Sequence, residues 1–115
     1  MSNEWIIANA YGTGNLTYST TLELDCIYLM SISLTSSSLS TMNLKATQII
    51  STSSLRPVNY YIITFGLDDD KQVLPYYGKL SIGSDGLADF RFFVPEDDMI
   101  IGGISTGEVK FLKIS

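Results

Sequence analysis

The sequence predicts an all-β domain: an antiparallel β-sandwich, jelly-roll-like with Greek-key connections, of about eight or nine short strands. Ser and Thr together number 25 of the 115 residues, whereas Ala, the best helix former, numbers only four. Between recurrent turn residues, apolar residues alternate with polar ones at a period of two, which is typical of strands with one buried face. The length fits a single domain spanning residues 1–115.

The first half of the chain shows three strand-like stretches separated by polar breaks. Residues 5–10 form a short apolar strand that the Gly- and Asn-containing segment 12–15 ends. Alternation is clearest within residues 17–35, and it resumes at 42–50 after a serine run. Residues 51–57 form the next break, because Pro57 cannot donate to a ladder and belongs at the start or edge of a strand. The alternating apolar positions are Met30, Ile32, Leu34, Met42, Leu44 and Ala46.

The second half continues the pattern. Residues 58–65 are apolar or aromatic on both faces, which predicts a strand covered by the second sheet on one side and by a partner subunit on the other. An acidic turn at 66–71 follows. Asp85-Gly86 lies between alternating segments and predicts a hairpin with a type I′ turn. The remaining predicted elements are a loop at 95–98, a strand at 99–104, a glycine turn near Gly107 and a strand at 108–114.

Composition excludes several function classes. Seven Lys and Arg against 12 Asp and Glu give a net charge of −5, which disfavours nucleic acid and anionic membranes as partners. No histidine is present, so the commonest general base and transition-metal ligand are missing. The single cysteine, Cys26, excludes an intrachain disulfide and is expected to be a small buried hydrophobe. We therefore expect a non-enzymatic protein without a cofactor.

Two acidic runs, Asp68–Asp70 and Glu96–Asp98, supply the main clusters of carboxylates. A glycosidase needs two carboxylates at a set separation across a cleft, whereas adjacent acids in turns are usually solvated. The runs do not match the alternating pattern of a calcium loop, although two loops could converge on one ion. Solvated loops are the favoured interpretation, we expect no metal site, and calcium binding stays an open alternative.

Aromatic residues are abundant, with seven Tyr, five Phe and one Trp. The pairs Tyr60-Tyr61 and Tyr76-Tyr77 each place one ring on either face of a strand, so one ring of each pair lies away from the core. Such rings either contact a ligand or partner or flank a second sheet layer, and the sequence favours neither. If a partner subunit covers the 58–65 strand, the expected interface residues are Tyr61, Ile63 and Phe65.

The order of features in residues 26–114 resembles the head domains of bacteriophage tail-fibre and receptor-binding proteins. In that family an aliphatic strand pair precedes a Leu-Pro-x-Gly-aromatic-Arg-Pro segment, which is followed by a strand, an acidic or polar loop and a hairpin that ends in a polar-Gly turn. Here Cys26–Thr35 supplies the strand, Arg56-Pro57 the Arg-Pro step and Leu80–Gly86 the hairpin. The closing strands and Trp5 near the start are also similar to the family.

The resemblance implies a homotrimer at the tip of a virion tail or surface appendage, made in the host cytoplasm, in contact with other virion proteins and recognising cell-surface saccharide. The absence of a secretory-type N-terminus agrees with that expectation, and no membrane insertion is expected. For saccharide we expect stacking by Trp5, Tyr76 and Tyr77 and a hydrogen bond from Asp70. The alternatives are a capsid-decoration or assembly module that binds only protein, and a cellular carbohydrate-binding module.

Overall fold

Nine β-strands and no helix occur in the residues that the computed structural model describes, which are 4–12, 16–36, 42–67, 72–93 and 104–115. The prediction of an all-β chain is confirmed. In chain order the strands are β1 (Trp5–Ile7), β2 (Asn9–Tyr11), β3 (Thr17–Thr21), β4 (Ile27–Ser36), β5 (Met42–Ser51), β6 (Val58–Leu67), β7 (Gln72–Gly83), β8 (Leu87–Phe93) and β9 (Ile104–Lys113). The predicted acidic loops and the predicted strand at 99–104 lie largely outside the described residues.

The strands form two antiparallel sheets that pack against each other. Sheet I has the order β1-β9-β4-β5, and sheet II has the order β6-β7-β8-β3-β2. On one side the sheets are joined by only two residue pairs between β5 and β6. On the other side the chain passes from β1 in sheet I to β2 in sheet II at Ala8, whose N–H donates to the Val109 carbonyl at 2.8 Å. The predicted β-sandwich is confirmed. Because β4 to β8 are neighbours in chain order, the jelly-roll detail is not confirmed.

The core lies between the sheets and is built by alternate residues of each strand. Phe65 of β6 is central to it, because its ring meets the rings of Phe92 at 5.1 Å and Phe90 at 6.3 Å, both edge to face. The buried side chains from sheet I include Tyr28, Met30, Ile32, Leu34, Leu44, Ile50, Val109 and Phe111, and those from sheet II include Tyr18, Ile63, Phe65, Leu80, Ile82, Phe90 and Phe92.

The predicted strand-like stretch 17–35 is divided between the two sheets, since β3 belongs to sheet II and β4 to sheet I. Thr52 holds the connection between these strands. Its hydroxyl donates to the Glu23 carbonyl at 2.6 Å and accepts from the Cys26 N–H at 3.1 Å. Thr52 is only 4 % exposed, so these hydrogen bonds satisfy a polar side chain that is buried.

The hairpin at Asp85-Gly86 is confirmed, but its turn differs from the predicted type I′. A type I′ turn needs positive φ at both central residues. Here Asp85 is not among the residues with positive φ, whereas Gly86 has a φ of 87°. The Gly86 N–H donates to the Gly83 carbonyl at 3.0 Å, and the loop has three residues between β7 and β8. The connection is therefore a three-residue hairpin loop, in which a glycine with a φ in the left-handed region follows the two central turn residues.

Gly107, predicted to form a turn, lies inside β9 and pairs with Leu34 of β4. The position is small because the Tyr18 hydroxyl of the opposite sheet occupies the space that a Cβ atom of residue 107 would take. Glycine serves here as a packing residue between the sheets, a role that local sequence cannot distinguish from a turn.

Candidate functional site

The ligand-binding residues expected from sequence do not form one site. Trp5 lies on the outer face of sheet I, with the Lys110 Nζ 4.5 Å from its ring centroid. Tyr77 lies on the outer face of sheet II, where its ring stacks on Phe93 at 5.0 Å. The structure therefore separates these two rings onto opposite faces of the sandwich. Tyr76 belongs to β7 but its side chain is not described, and Asp70 lies outside the described residues.

The expected interface residues of β6 lie on the inner face of the strand. Ile63 and Phe65 are 1 % and 2 % exposed and pack in the core of their own chain, so this face is not open to a partner. Tyr61 is partly buried, and its hydroxyl accepts from the Ser51 N–H at 2.9 Å. The exposed face of β6 instead presents Tyr60 and Ile62, which are 61 % and 60 % exposed. Because both faces of this strand are apolar, sequence alternation could not identify which one turns inward.

A shallow depression of about 240 Å³ lies on the outer face of sheet II. We call it the outer depression, and its lining residues are Tyr11, Tyr60, Lys79, Ser81, Asp89, Arg91 and Phe93. Strand register brings them together: Lys79 pairs with Arg91, and Ser81 pairs with both Asp89 and Tyr60. Residues from β2, β6, β7 and β8 thus converge, although up to 82 positions separate them in the sequence.

Two cations in the outer depression lie against aromatic rings. The Lys79 Nζ is 4.4 Å from the Tyr60 ring centroid, and the Arg91 guanidinium carbon is 5.7 Å from that of Phe93. Tyr77 stacks on the Phe93 ring with only 15° between the ring planes. These cation–π and stacking contacts restrict the side chains even though they are partly exposed. The outer depression therefore has a defined arrangement of rings and charges.

A carboxylate completes the outer depression. The Tyr11 hydroxyl donates to Asp89 Oδ1 at 2.7 Å, and this hydrogen bond is the main cause of a raised pKa of Tyr11. The backbone carbonyl of Tyr11 accepts a hydrogen bond from the Thr17 hydroxyl. Through these two hydrogen bonds, residues of β2 and β3 hold the Asp89 carboxylate in position. Asp89 can accept hydrogen bonds from hydroxyl groups of a ligand, as can Ser81.

The grouping of side chains is suited to binding. It combines aromatic rings, a hydroxyl, a carboxylate and two cations on one open surface, which are groups that orient a polar ligand. Cys26 belongs to another region, where its Sγ lies 3.2 Å from the Leu24 carbonyl. Among the described residues, no group of three or more His, Cys, Asp or Glu side chains is arranged to hold a metal ion. In the same residues no helix is long and apolar enough to cross a membrane.

The outer face of sheet I has a different character. Strand register aligns Trp5, Leu112, Leu29 and Ile49 in one row across β1, β9, β4 and β5. We call these four residues the apolar row. Trp5 and Ile49 are 38 % and 51 % exposed. Three further isoleucines of this sheet or directly after it are also exposed: Ile7 in β1, Ile27 in β4 and Ile114 just after β9.

Most residues of the outer depression were not expected from the sequence, although its pattern contains a signal for them. Lys79 and Ser81 alternate with the buried Leu80 and Ile82, and Asp89 and Arg91 alternate with buried Phe90 and Phe92. The period of two therefore assigns all four polar side chains to the outer face of one hairpin, because the Asp85-Gly86 turn pairs the two strands. Tyr11 and Tyr60 could not be added in this way. Tyr11 lies on β2, which reaches the hairpin only through β3, and β3 pairs with β8 over a long sequence separation. Tyr60 lies opposite Ser81 only in the register of β6 and β7 that the structure shows.

Comparison with known proteins gave no relative: no protein-family model, no curated protein sequence and no solved structure matches this chain.

Proposed function

We propose that the chain is a non-enzymatic saccharide-binding domain of the kind found in the heads of phage tail fibres. The observation that supports this proposal is the outer depression. Sugar rings have apolar faces that pack on aromatic side chains, here Tyr60 and Phe93, and hydroxyls that bond to carboxylates and hydroxyls, here Asp89 and Ser81. A shallow, open surface fits the end or side of a cell-surface glycan better than a small enclosed substrate.

The virion context of the proposal comes from the resemblance of residues 26–114 to tail-fibre heads. In this proposal the protein is a homotrimer at the tip of a tail or surface appendage, assembled with other virion proteins. The outer depression faces away from the core and contains no residue of sheet I, so it stays accessible when copies associate through the other sheet.

A glycan array followed by calorimetry tests saccharide binding. Tyr60→Ala removes a ring of the outer depression, and we expect affinity for the best glycan to fall about tenfold. Ile62→Ala is the matched control, because Ile62 is equally exposed on the same face of β6 but does not line the depression. No binding to any glycan by a folded protein would refute the proposal. Equal losses of glycan affinity in the two variants would show that the saccharide does not bind in the outer depression.

A second candidate function, an assembly module that binds further copies of this chain, is favoured by the apolar row. Exposed apolar surface of several hundred Å² is typical of an interaction site. Four strands spaced ~4.8 Å apart and up to ten residues long give a face of roughly 600 Å², near the lower limit for one partner of a stable interface. The face carries little net charge, because Lys110 pairs with Glu108 at 3.3 Å and, among the described strand residues, Lys45 is the further charge on it. A second copy could therefore cover it without unfavourable net charge.

Light scattering tests this association, and the single tryptophan provides a second signal. We expect a mass above that of one chain at micromolar concentration and a blue-shifted Trp5 emission as the concentration rises. Ile49→Lys should produce monomers, whereas Ile62→Lys, on the outer face of sheet II, should leave the mass unchanged. Association without glycan binding would support the assembly module over the saccharide-binding head. A monomer at all concentrations would refute association and with it the proposed trimer.

A further inference from the structure

Two like charges lie directly opposite each other in the outer depression. Lys79 of β7 and Arg91 of β8 are register partners, and both are on the outer face of sheet II. Like charges at directly opposed positions of an antiparallel pair destabilise it. The arrangement is unexpected in a chain whose net charge is −5. We therefore expect either that nearby carboxylates neutralise the two cations or that the cations have a function other than stabilising the fold.

The carboxylates of the described residues do not neutralise this pair. The ion pairs in this part of the chain are Lys110–Glu108 and Lys113–Glu23, both away from the outer depression. Among the described residues, Asp89 is the single acid that lines the depression, and its Oδ1 accepts a hydrogen bond from Tyr11. Two cations and one carboxylate therefore give the described lining of the outer depression an excess of one positive charge.

The positions of both cations suit the capture of an anion. Lys79 lies over the Tyr60 ring and Arg91 near the Phe93 ring, so cation–π contacts hold each charge in place. The nitrogens keep their hydrogen-bonding capacity for an acceptor, because a ring face accepts only weakly. Guanidinium groups bind carboxylate, sulfate and phosphate oxygens in a two-pronged geometry, and an ammonium adds a point charge. Little side-chain ordering is then needed on binding.

We propose that the outer depression binds the anionic group of an acidic saccharide. Arg91 and Lys79 hold a carboxylate, sulfate or phosphate group of the sugar, while Tyr60 contacts the face of the sugar ring. This inference rests on the proposed saccharide-binding function and specifies its ligand class. The carboxylate, sulfate and phosphate groups are all oxyanions, planar or tetrahedral, and each offers at least two oxygens to the cations.

Binding measurements on the whole chain test the inference with three probes: an oligosaccharide containing glucuronate, the matched neutral oligosaccharide containing glucose, and inorganic sulfate. We expect the acidic oligosaccharide to bind at least tenfold more tightly than the neutral one and to weaken as salt is added. Arg91→Gln and Lys79→Gln should each reduce that affinity about tenfold. Lys110→Gln is the control, because Lys110 lies over an aromatic ring at 4.5 Å, almost as Lys79 does, but on the opposite sheet.

The outcomes separate this inference from the proposed function. Equal affinity for the acidic and neutral oligosaccharides would overturn the anionic ligand and leave saccharide binding intact. Sulfate binding that depends on Lys79 and Arg91, without binding to either oligosaccharide, would support the anion site and overturn the saccharide function. No binding to any of the three probes by the folded protein would overturn both.

Discussion

Replacing Gly86 with alanine changes the turn that joins β7 to β8, the two strands that supply most of the outer depression. Gly86 has a φ of 87°, in the left-handed region. Its carbonyl accepts from the Leu22 N–H at 2.8 Å, which ties the turn to the end of β3. A Cβ atom at residue 86 would overlap the Leu22 carbonyl oxygen. Alanine is therefore unfavourable for two separate reasons, the backbone angle and the backbone neighbour.

The expected loss of stability follows from these two effects. An L-residue in the left-handed region costs about 1–2 kcal/mol relative to glycine. Relieving the overlap requires the backbone at Leu22 to move, which weakens a hydrogen bond that contributes about 0.5–1.5 kcal/mol. Together they predict a decrease of about 2–3 kcal/mol in the free energy of unfolding. Since the free energy of unfolding of a small domain is about 5–15 kcal/mol, the variant should still fold. Its melting temperature should be lower by roughly 10 °C.

Urea and thermal unfolding followed by circular dichroism measure this loss, and two further variants separate its causes. Gly83→Ala is the control in the same turn, because the nearest atom to its Cβ would be a side-chain oxygen, Asp85 Oδ1 at 2.7 Å, and not a backbone atom. Moving that oxygen would weaken only the hydrogen bond that it accepts from the Leu87 N–H at 3.0 Å. Gly86→Asn tolerates the left-handed angle but still carries a Cβ, so it should recover only part of the loss. Wild-type stability in Gly86→Asn would refute the Leu22 contact. A change below about 0.5 kcal/mol in Gly86→Ala would refute the turn geometry itself.

Three other substitutions test the framework by the same unfolding measurements. Thr52→Val keeps the shape of the side chain but removes its hydrogen bonds to Glu23 and Cys26. We expect the free energy of unfolding to fall by about 1–3 kcal/mol, and an unchanged value would contradict the role of the buried hydroxyl. Gly78→Ala places a Cβ against the Phe90 ring, so overpacking should cost about 1–3 kcal/mol, and an unchanged value would show that the ring can move away. Lys113 donates to Glu23 at 2.6 Å and lowers its pKa. Glu23→Gln should therefore be slightly less stable than the wild type at neutral pH. Because the ionised carboxylate is what the pair stabilises, the difference is present above the ordinary pKa of 4.5 and disappears as the pH falls through the lowered value. A difference that persists in acid would rule out the ion pair as its cause.

The sequence was sufficient for the class of fold and for most strand positions, because period-two alternation is a local property. Within β4 and β5, the alternating apolar residues Met30, Ile32, Leu34 and Leu44 are buried, so this part of the inner face was predicted from residue type alone. The β6 strand shows the limit of this reasoning. Both of its faces are apolar, and only the position of Phe65 between Phe90 and Phe92 determines which face is inside. The predicted interface residues were consequently taken from the buried face.

The candidate site was harder to predict than the fold, because its geometry arises from strand pairing between distant segments. The outward position of Lys79 and Arg91 follows from local alternation, but their direct opposition depends on the register of β7 and β8. That register is set by a three-residue loop, whereas the type I′ turn expected from Asp85-Gly86 has two. Changing the number of loop residues changes which side chains face each other. An error in turn type was therefore enough to hide the like-charge pair.

Charge gives the clearest link between composition and function. The described residues hold six Lys and Arg and six Asp and Glu, so the net charge of −5 arises from segments outside them, which contain six acids and Lys71. The β-framework itself is neutral, and on it the outer depression has a local positive excess. Whole-chain charge disfavours long polyanions such as nucleic acid, which need an extended cationic surface. It does not argue against a single carboxylate, sulfate or phosphate group, because the potential at one small site depends mainly on the charges within about 8 Å in physiological salt. An acidic protein can therefore bind an acidic sugar, provided that two cations such as Lys79 and Arg91 are placed together by strand register.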